Sequence, residues 1–299
     1  MKKGNASHIR KAIIAAAGYG TRFLPATKNQ PKEMLPIIDK PIIHYLVEEA
    51  VASGITDIII VTRSGQSIME DYFDSHIELE HKLKSEKKRE LLRKVREIPR
   101  LANFIYVRQK KNYPYGNGTP LIAVKDLIDK DENFVYMFGD DLVLSDIPCT
   151  QQLIDYSASK GGAATIAAQE VPHSEVNRYG ILKLAKGSKD RVLSAIEKPS
   201  PENAPSQLAQ FGRFVLNHKV IDILNTMNEE GRLGKDNELW LIDAIIEYAK
   251  KHPVYAARIE GEWLTTGDPL RYMKTQVRYA LVRKDLGKEF ADFLKNLKL

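Results

Sequence analysis

The sequence predicts an α/β protein, a mostly parallel sheet covered by helices on both faces, in one domain that ends in a helical tail. Three observations carry this. Lys11–Ala17 is a short apolar run that ends in glycines, the pattern of a fully buried strand entering a tight loop. An amphipathic stretch and a second apolar run, Asp57–Val61, follow it, and a strand–helix–strand unit of that length favours parallel pairing. The alternation then continues through Phe104–Val107 and Phe134–Phe138, which flank a helical stretch from Thr119 to Ile128.

Each element has its own signals. Pro41 opens the first helix, Ile42, Ile43, Leu46, Val47, Ala50 and Val51 form its apolar face, and Gly54 closes it. After about residue 150 the pattern changes. Gly162–Ala168, Gly180–Leu184, Val192–Glu197 and Gln210–Leu216 read as strands between polar turns, the last running straight into a helical pattern. Further helices are expected at Leu239–Lys250 and Pro269–Arg283, and the tail Lys288–Leu297 has helical apolar spacing at Phe290, Phe293, Leu294 and Leu297. With no repeat, low-complexity tract or linker, residues 1–299 read as one domain.

Composition narrows the class. The 299 residues are 43% hydrophobic and 28% charged, too apolar for a disordered chain. Cys149 is the only cysteine, which excludes an intrachain disulfide framework and fits a reducing compartment; it reads as lying in a turn without a basic neighbour, a poor setting for a nucleophile. The apolar runs are too short to span a bilayer, and Met1–Arg10 lacks the apolar core of a signal peptide, so a cytoplasmic protein without membrane contact is expected. The seven histidines are scattered without ligand or triad spacing and read as structural or exposed.

A net charge of +6 invites a nucleic-acid reading. However, Lys82–Arg100 holds nine basic and three acidic residues, which accounts for the whole excess. This stretch lacks interleaved aromatics, while Leu83, Leu91, Leu92, Val95 and Ile98 give it partial helical spacing. It reads as one solvated helix packed on one side, and no nucleic-acid partner is expected.

The informative loop is Ala16-Ala17-Gly18-Tyr19-Gly20-Thr21-Arg22-Phe23-Leu24-Pro25, continuing through Thr27-Lys28 to Pro31-Lys32-Glu33. Glycines after a strand let backbone N–H groups approach phosphate oxygens, and Arg22 and Lys32 bring two cations to meet phosphate charge. Neither a G-x-G-x-x-G fingerprint nor a Walker motif is present.

This string resembles the signature of the sugar-1-phosphate nucleotidylyltransferases, and most closely that of the bacterial UTP–glucose-1-phosphate uridylyltransferases (UDP-glucose pyrophosphorylases). Val107-Arg108-Gln109, Gly139-Asp140-Asp141, Tyr179-Gly180, Glu197-Lys198-Pro199 and Gly212-Arg213 fall in the same order as in that family. The resemblance implies a Rossmann-like mixed, mostly parallel sheet of the nucleotide-diphospho-sugar transferase type. In such a fold 9–150 would form the nucleotide-binding half, 151–268 the sugar-binding half and 269–299 the C-terminal helices. It also implies a reaction: glucose 1-phosphate attacks the α-phosphorus of UTP in line, giving UDP-glucose and pyrophosphate. Arg22, Lys32 and Lys198 would carry catalysis by neutralising phosphate charge. Ala16, Ala17, Gly18, Gly20, Thr21, Glu33, Gln109, Gly116 and Gly118 would bind the nucleotide, with Gln109 and the backbone of Ala16, Ala17 and Gly116 at the uracil. Asp141, Gly180, Glu197 and Gly212 would bind the sugar, and Asp140 would hold Mg²⁺. A homodimer or homotetramer is implied as well.

Three places depart from the family pattern. Thr265 stands where an Asp usually gives the metal a second carboxylate, so either Asp268 swings in, or water and phosphate complete the shell, or the site is weakened. Gly118-Thr119 replaces the frequent Gly-His, and Trp240 and Ile242 replace Gln and Thr. Two alternatives therefore stay open on the sequence. One is a transferase using dTTP or another sugar 1-phosphate such as N-acetylglucosamine 1-phosphate, and the other a non-catalytic regulatory paralogue.

Overall fold

A computed structural model describes residues 9–298. His8 and most of the polar start lie outside the described residues. The first strand, β1 (Lys11–Ala15), becomes the centre of the main sheet. A short hairpin of β2 (Pro36–Ile37) and β3 (Lys40–Pro41) leads to α1 (Ile42–Ala52), which Pro41 precedes and Gly54 follows at φ 86°. Next come β4 (Asp57–Thr62), α2 (Ile68–Tyr72), α3 (Ile77–Ser85), α4 (Arg89–Glu97) and β5 (Asn103–Arg108). Then α5 (Thr119–Ala123), β6 (Asn133–Phe138), β7 (Asp141–Leu144) and α6 (Cys149–Ser159) complete the first half. The second half contains β8 (Ala164–Glu170), β9 (Gly180–Leu184), β10 (Val192–Glu197), β11 (Leu208–Asn217), α7 (His218–Glu229) and α8 (Leu241–Ala249). It closes with β12 (Val254–Arg258), β13 (Glu262–Thr265), α9 (Pro269–Val282) and α10 (Gly287–Asn296).

Nine strands form one sheet in the order β10-β9-β11-β6-β1-β4-β5, with β8 branching from β11 and β12 pairing with β8. β1 lies parallel to both β4 and β6, and β4 parallel to β5. β11 runs antiparallel to β6, β8 and β9, so the sheet is mixed as expected. Alternation along β1 sends Ile13 into one core with α5, α7 and α8, and Ala12 and Ile14 into the other with α1 and α6. Both faces are thereby buried, which explains why its strands read as continuous apolar runs.

Several expectations needed correction. The basic stretch is two helices, α3 and α4, because the chain turns at Lys87 with φ 56°, a break that neither Gly nor Pro announces. The helix expected from Thr119 to Ile128 ends at Ala123 and continues as a 3₁₀ turn, Lys125–Leu127. Cys149 is not in a turn: it begins α6, is fully buried, and its thiol is pushed well up by burial.

Where the sheet turns antiparallel, β11 buries Arg213 completely. Its guanidinium donates from Nε to Glu49 Oε1 at 2.9 Å and from Nη2 to Glu49 Oε2 at 3.0 Å, a bidentate pair with α1. Nη1 donates to the Gly212 carbonyl and Nη2 also to the Asp141 carbonyl. Thr150 of α6 donates to Glu49 through its N–H and its hydroxyl. Removing one partner of a buried pair strands the other charge. Glu49→Ala is thus expected to cost about 3–5 kcal/mol in urea unfolding, with Glu49→Leu/Arg213→Met recovering most of it. A loss below about 1 kcal/mol for the single variant would contradict this role.

Candidate active site

The site lies at the C-terminal ends of β1 and β6. After β1 the chain enters the glycine loop, where Gly20 takes a left-handed φ of 62° and its carbonyl accepts the Thr27 hydroxyl at 2.7 Å. After β6, Gly139 donates its N–H to the Ala15 carbonyl at 3.1 Å. A Cβ on Gly139 would lie 2.6 Å from both that carbonyl oxygen and Glu33 Cγ, so only glycine lets the strand ends close here. That contact brings Asp140 against the loop, where its Oδ2 accepts from Lys32 Nζ at 2.5 Å.

Two cavities open at these strand ends. The smaller, about 330 Å³, is lined by Ala17, Gly18, Lys32, Glu33, Gln109, Tyr115, Gly116 and Glu238 among others. The larger, about 480 Å³, is lined by Asp141, Asn177, Arg178, Tyr179, Gly180, Glu197, Gln210, Gly212, Trp263 and Arg271 among others. Arg22, Asn117, Phe138, Asp140 and Lys198 line both. Thirteen of the seventeen residues singled out in the sequence thus border the cavities.

Four do not. Ala16 is buried, with its N–H donated to the Val61 carbonyl at 2.9 Å. Gly20 and Thr21 shape the loop behind the lining. Gly118 is a packing glycine: a Cβ there would sit 2.6 Å from Leu224 Cδ2 and 3.0 Å from the Leu239 carbonyl oxygen. Conversely, Asn177, Arg178, Gln210, Trp263 and Arg271 line the larger cavity without a local signal to single them out. They come from loops and strand edges that converge only in three dimensions.

The electrostatics of the two cavities are finely balanced. Burial disfavours charge on both Lys32 and Asp140, yet their attraction outweighs it, holding the lysine above and the carboxyl below its ordinary range. Burial drives Glu33 up to about 7 against the pull of Lys32, whose Nζ is 4.0 Å from Oε1, and Oε2 has no partner. Burial, then the neighbouring Asp140, raises Asp141. Both Asp141 oxygens are engaged, Oδ1 accepting from Trp263 Nε1 and Oδ2 from the Gly212 N–H, each at 2.9 Å. Burial also raises Glu197. Its neighbour Lys198 adopts a left-handed φ of 49° just before Pro199, with its N–H donated to the Tyr179 carbonyl. Strain of this kind costs about 1–3 kcal/mol and collects at functional positions. The buried amide oxygens of Gln109 and Gln210 have no partner within the protein, one in each cavity.

The three ways of completing a metal shell around Asp140 can now be compared. Asp268 caps α9, accepting from the Arg271 N–H at 3.0 Å and from its guanidinium at 2.9 Å, so it is committed elsewhere. Thr265 is adjacent: a Cβ on Gly267 would meet Asp140 Oδ2 at 3.2 Å and Thr265 Oγ1 at 3.5 Å. Among the described residues no group of three or more His, Cys, Asp or Glu is placed to hold a metal ion. One carboxylate with a neighbouring hydroxyl does fit Mg²⁺, which is commonly held through one or two carboxylates plus substrate phosphates and water.

Glu33 gives this geometry a test. Its carboxyl binds protons more tightly folded than unfolded, so stability falls as pH rises from about 4.5 through about 7. Glu33→Gln has no such term. Its unfolding free energy relative to the parent should therefore rise by about 3 kcal/mol between about pH 5 and about pH 8 in urea titrations. Parallel pH profiles for the two proteins would refute the assignment.

Comparison with known proteins places this geometry. Residues 11–280 match the nucleotidyl transferase family model. The chain is 45% identical over 291 residues to a UTP–glucose-1-phosphate uridylyltransferase of Staphylococcus epidermidis, covering 97% of this chain and 98% of that protein. It is 42% identical over 292 residues to the UTP–glucose-1-phosphate uridylyltransferase YngB of Bacillus subtilis, covering 97% and 95%. The UTP-bound UGPase from Acinetobacter baumannii superposes with a TM-score of 0.87 at 34% identity, covering 97% of this chain and 100% of that one. The chain therefore belongs to the nucleotidyl transferase family, among its UTP–glucose-1-phosphate uridylyltransferases.

Proposed function

We propose that the chain transfers the uridylyl group of UTP to glucose 1-phosphate, releasing pyrophosphate. The observation that carries this reading is the seam where a glycine-lined cavity meets a second, polar one, with Arg22, Asp140 and Lys198 bordering both. A reaction that joins two phosphorylated substrates needs such a charged boundary. The names of the relatives, as uridylyltransferases, support the choice of substrates. In this reading residues 9–150 bind the nucleotide, residues 151–268 the sugar, and 269–299 form the C-terminal helices.

The chemistry needs no protein nucleophile. A phosphate oxygen of glucose 1-phosphate bonds to the α-phosphorus while the α–β bridging bond breaks, and pyrophosphate leaves with the electron pair. The protein positions the substrates and neutralises charge. Ala17, Gly18 and Gly116 present backbone to the nucleotide, and the unpartnered amide of Gln109 offers hydrogen bonds to the uracil edge. A Cβ on Gly116, whose φ is 139°, would collide with the Leu239 backbone, so glycine is required where that loop closes. Arg22 and Lys32 meet the triphosphate, and Lys198 the phosphate of the acceptor. Gly180 and Glu197 take the sugar hydroxyls. Asp141 and Gly212 border the same cavity but bond to each other, which suits a role in shaping it. Asp140, beside Thr265, is the residue to hold Mg²⁺. When bound, the cation neutralises charge on the phosphate oxygens.

No helix among the described residues is long and apolar enough to cross a membrane. A single cysteine, here buried, suits a reducing compartment such as the cytoplasm. Exposed Leu286, Phe293 and Leu297 near the C-terminus support self-association as a homodimer or homotetramer.

A pyrophosphate-release assay across nucleotides and sugar phosphates, with and without Mg²⁺, tests the whole reading. UTP with glucose 1-phosphate and Mg²⁺ should give the highest kcat/KM. Preference for dTTP or for N-acetylglucosamine 1-phosphate would reassign the substrates, and no release from any pair would refute the enzyme. Within that assay, Asp140→Ala should lower kcat by about 10²–10³-fold, the scale of losing one electrostatic group that acts on the transition state. Glu197→Gln should instead raise the KM for glucose 1-phosphate by about tenfold, a lost hydrogen bond to substrate, and leave that for UTP unchanged. Equal effects on both KM values would remove Glu197 from the sugar site.

A further inference from the structure

Two aromatic rings at the smaller cavity are too exposed to serve the core. Tyr19, between the two glycines of the loop after β1, is 59% exposed, and Tyr115, in the loop after β5, is 51% exposed. Neither packs against a buried apolar cluster. Instead the two rings stack on each other from separate loops, with centroids 6.1 Å apart and planes 30° apart. The Arg63 guanidinium, just past the end of β4, lies over the Tyr19 ring at 4.8 Å from its centroid. That guanidinium is itself placed by buried Gln66, whose amide terminus lies 3.0 Å from Nε and 3.3 Å from Nη2. Arg63 thus steadies Tyr19, Tyr19 meets Tyr115, and Tyr115 lines the cavity.

The backbone under both rings is held. The Tyr115 carbonyl accepts the Leu239 N–H at 2.8 Å, and the Pro114 carbonyl before it accepts the Thr119 hydroxyl at 2.8 Å. Thr119, which stands in place of the frequent His, is fully buried, so this departure from the family pattern serves to fix the loop that carries Tyr115. On the other loop the Gly20 carbonyl, next to Tyr19, accepts from Thr27. The Tyr115 hydroxyl reaches within 3.9 Å of where a Cβ on Gly18 would stand, which brings the ring close to the glycine loop. A tyrosine on fixed backbone has few rotors left to freeze when a flat ligand covers it.

We propose that Tyr115 is a stacking wall for the base of the nucleotide, with Tyr19 and Arg63 as the positioning residues that hold its ring in place. The inference rests on the uridylyltransferase reading, which puts the uracil beside Gln109 and Gly116, and Tyr115 immediately precedes Gly116 on the lining of that cavity. The two contacts act in different directions. Gln109 addresses the edge of the base in its plane, whereas the tyrosine ring meets its face and adds affinity that does not depend on the edge.

The experiment titrates UTP into the parent chain and its variants by calorimetry, in EDTA so that no divalent cation contributes. Tyr115→Ala should weaken UTP about tenfold, the scale of one stacked base, and Tyr115→Phe, which keeps the ring, should stay within about twofold of the parent. Inorganic tripolyphosphate, which has no base, should compete with UTP equally well in the parent and in Tyr115→Ala. Tyr19→Ala and Arg63→Met should each weaken UTP about threefold in the parent and add nothing to Tyr115→Ala, because they act through it. In turnover the KM for UTP should rise with these affinities while that for glucose 1-phosphate stays unchanged. Circular dichroism establishes that each variant is folded. Unchanged UTP affinity in Tyr115→Ala would overturn the wall. So would equal weakening of UTP and tripolyphosphate, the mark of a displaced loop, or a Tyr115→Phe variant as weak as Tyr115→Ala. Pyrophosphate release is measured in parallel to keep the two readings apart. UTP affinity that ignores Tyr115 in an active enzyme refutes the wall alone, whereas Tyr115-dependent UTP binding without pyrophosphate release refutes the activity alone.

Discussion

The buried pair between Arg213 and Glu49 is the constraint on which the arrangement depends. A guanidinium inside a sheet needs acceptors, and the four bonds made here reach the pieces that must be held together. Glu49 belongs to α1, Thr150 ties the same carboxylate to α6, and the Gly212 and Asp141 carbonyls belong to β11 and the start of β7. The pair therefore does more than join a helix to a sheet. It fixes the peptide of Asp141, and with it the direction in which the preceding Asp140 leaves the strand.

From that point the geometry passes outward through short links. Asp141, held by Arg213 at its carbonyl, uses its carboxylate to hold Gly212 and Trp263. Trp263 lies on β13, which pairs with β7 so that Thr265 stands opposite Asp141. Thr266 then donates to the Asp140 carbonyl through both its N–H, at 2.7 Å, and its hydroxyl, at 2.9 Å. Asp140 is thus held through its main-chain carbonyl, while its carboxylate bonds to Lys32. Such pre-organisation gives electrostatic stabilisation its value, because little reorientation is needed when charge develops on a substrate.

How much of this could be read from the sequence varied with the kind of signal. β1, α1, β4 and β6 were legible because burial on both faces writes an apolar run, and Pro41 and Gly54 punctuate the helix. Asp140 was legible as a strand-end residue because it follows such a run. The break between α3 and α4 was not, since Lys87 takes a left-handed backbone without glycine or asparagine to mark it. Nor were β7, β12 and β13, short strands of four or five residues, or α6, which opens without a capping side chain. Arg213 illustrates the deeper limit. A charged residue in an apolar strand announces that something is paired, but its partner is 164 positions away. The larger cavity is hidden for the same reason, because Asn177, Gln210 and Arg271 come from three separate elements.

Net charge is the feature most easily read and the least informative about the site, and the structure explains why. The surplus sits in residues 82–100, which run from α3 through the turn at Lys87 and α4 to Arg100; here Arg93 and Arg96 make ion pairs with Glu97 and Glu80 on the surface, and such pairs contribute little. In the cavities, by contrast, Lys32 is balanced by Asp140 and Glu33, and Lys198 stands 3.9 Å from Glu197. A cation in a half-buried cleft gains from a paired carboxylate, because desolvation opposes its charge. In the proposed reading the phosphates of the substrates take over from those carboxylates. A site of this design cancels its own charge in the sum over the chain, so a phosphate-binding protein can owe its entire basic excess to a surface that never meets phosphate.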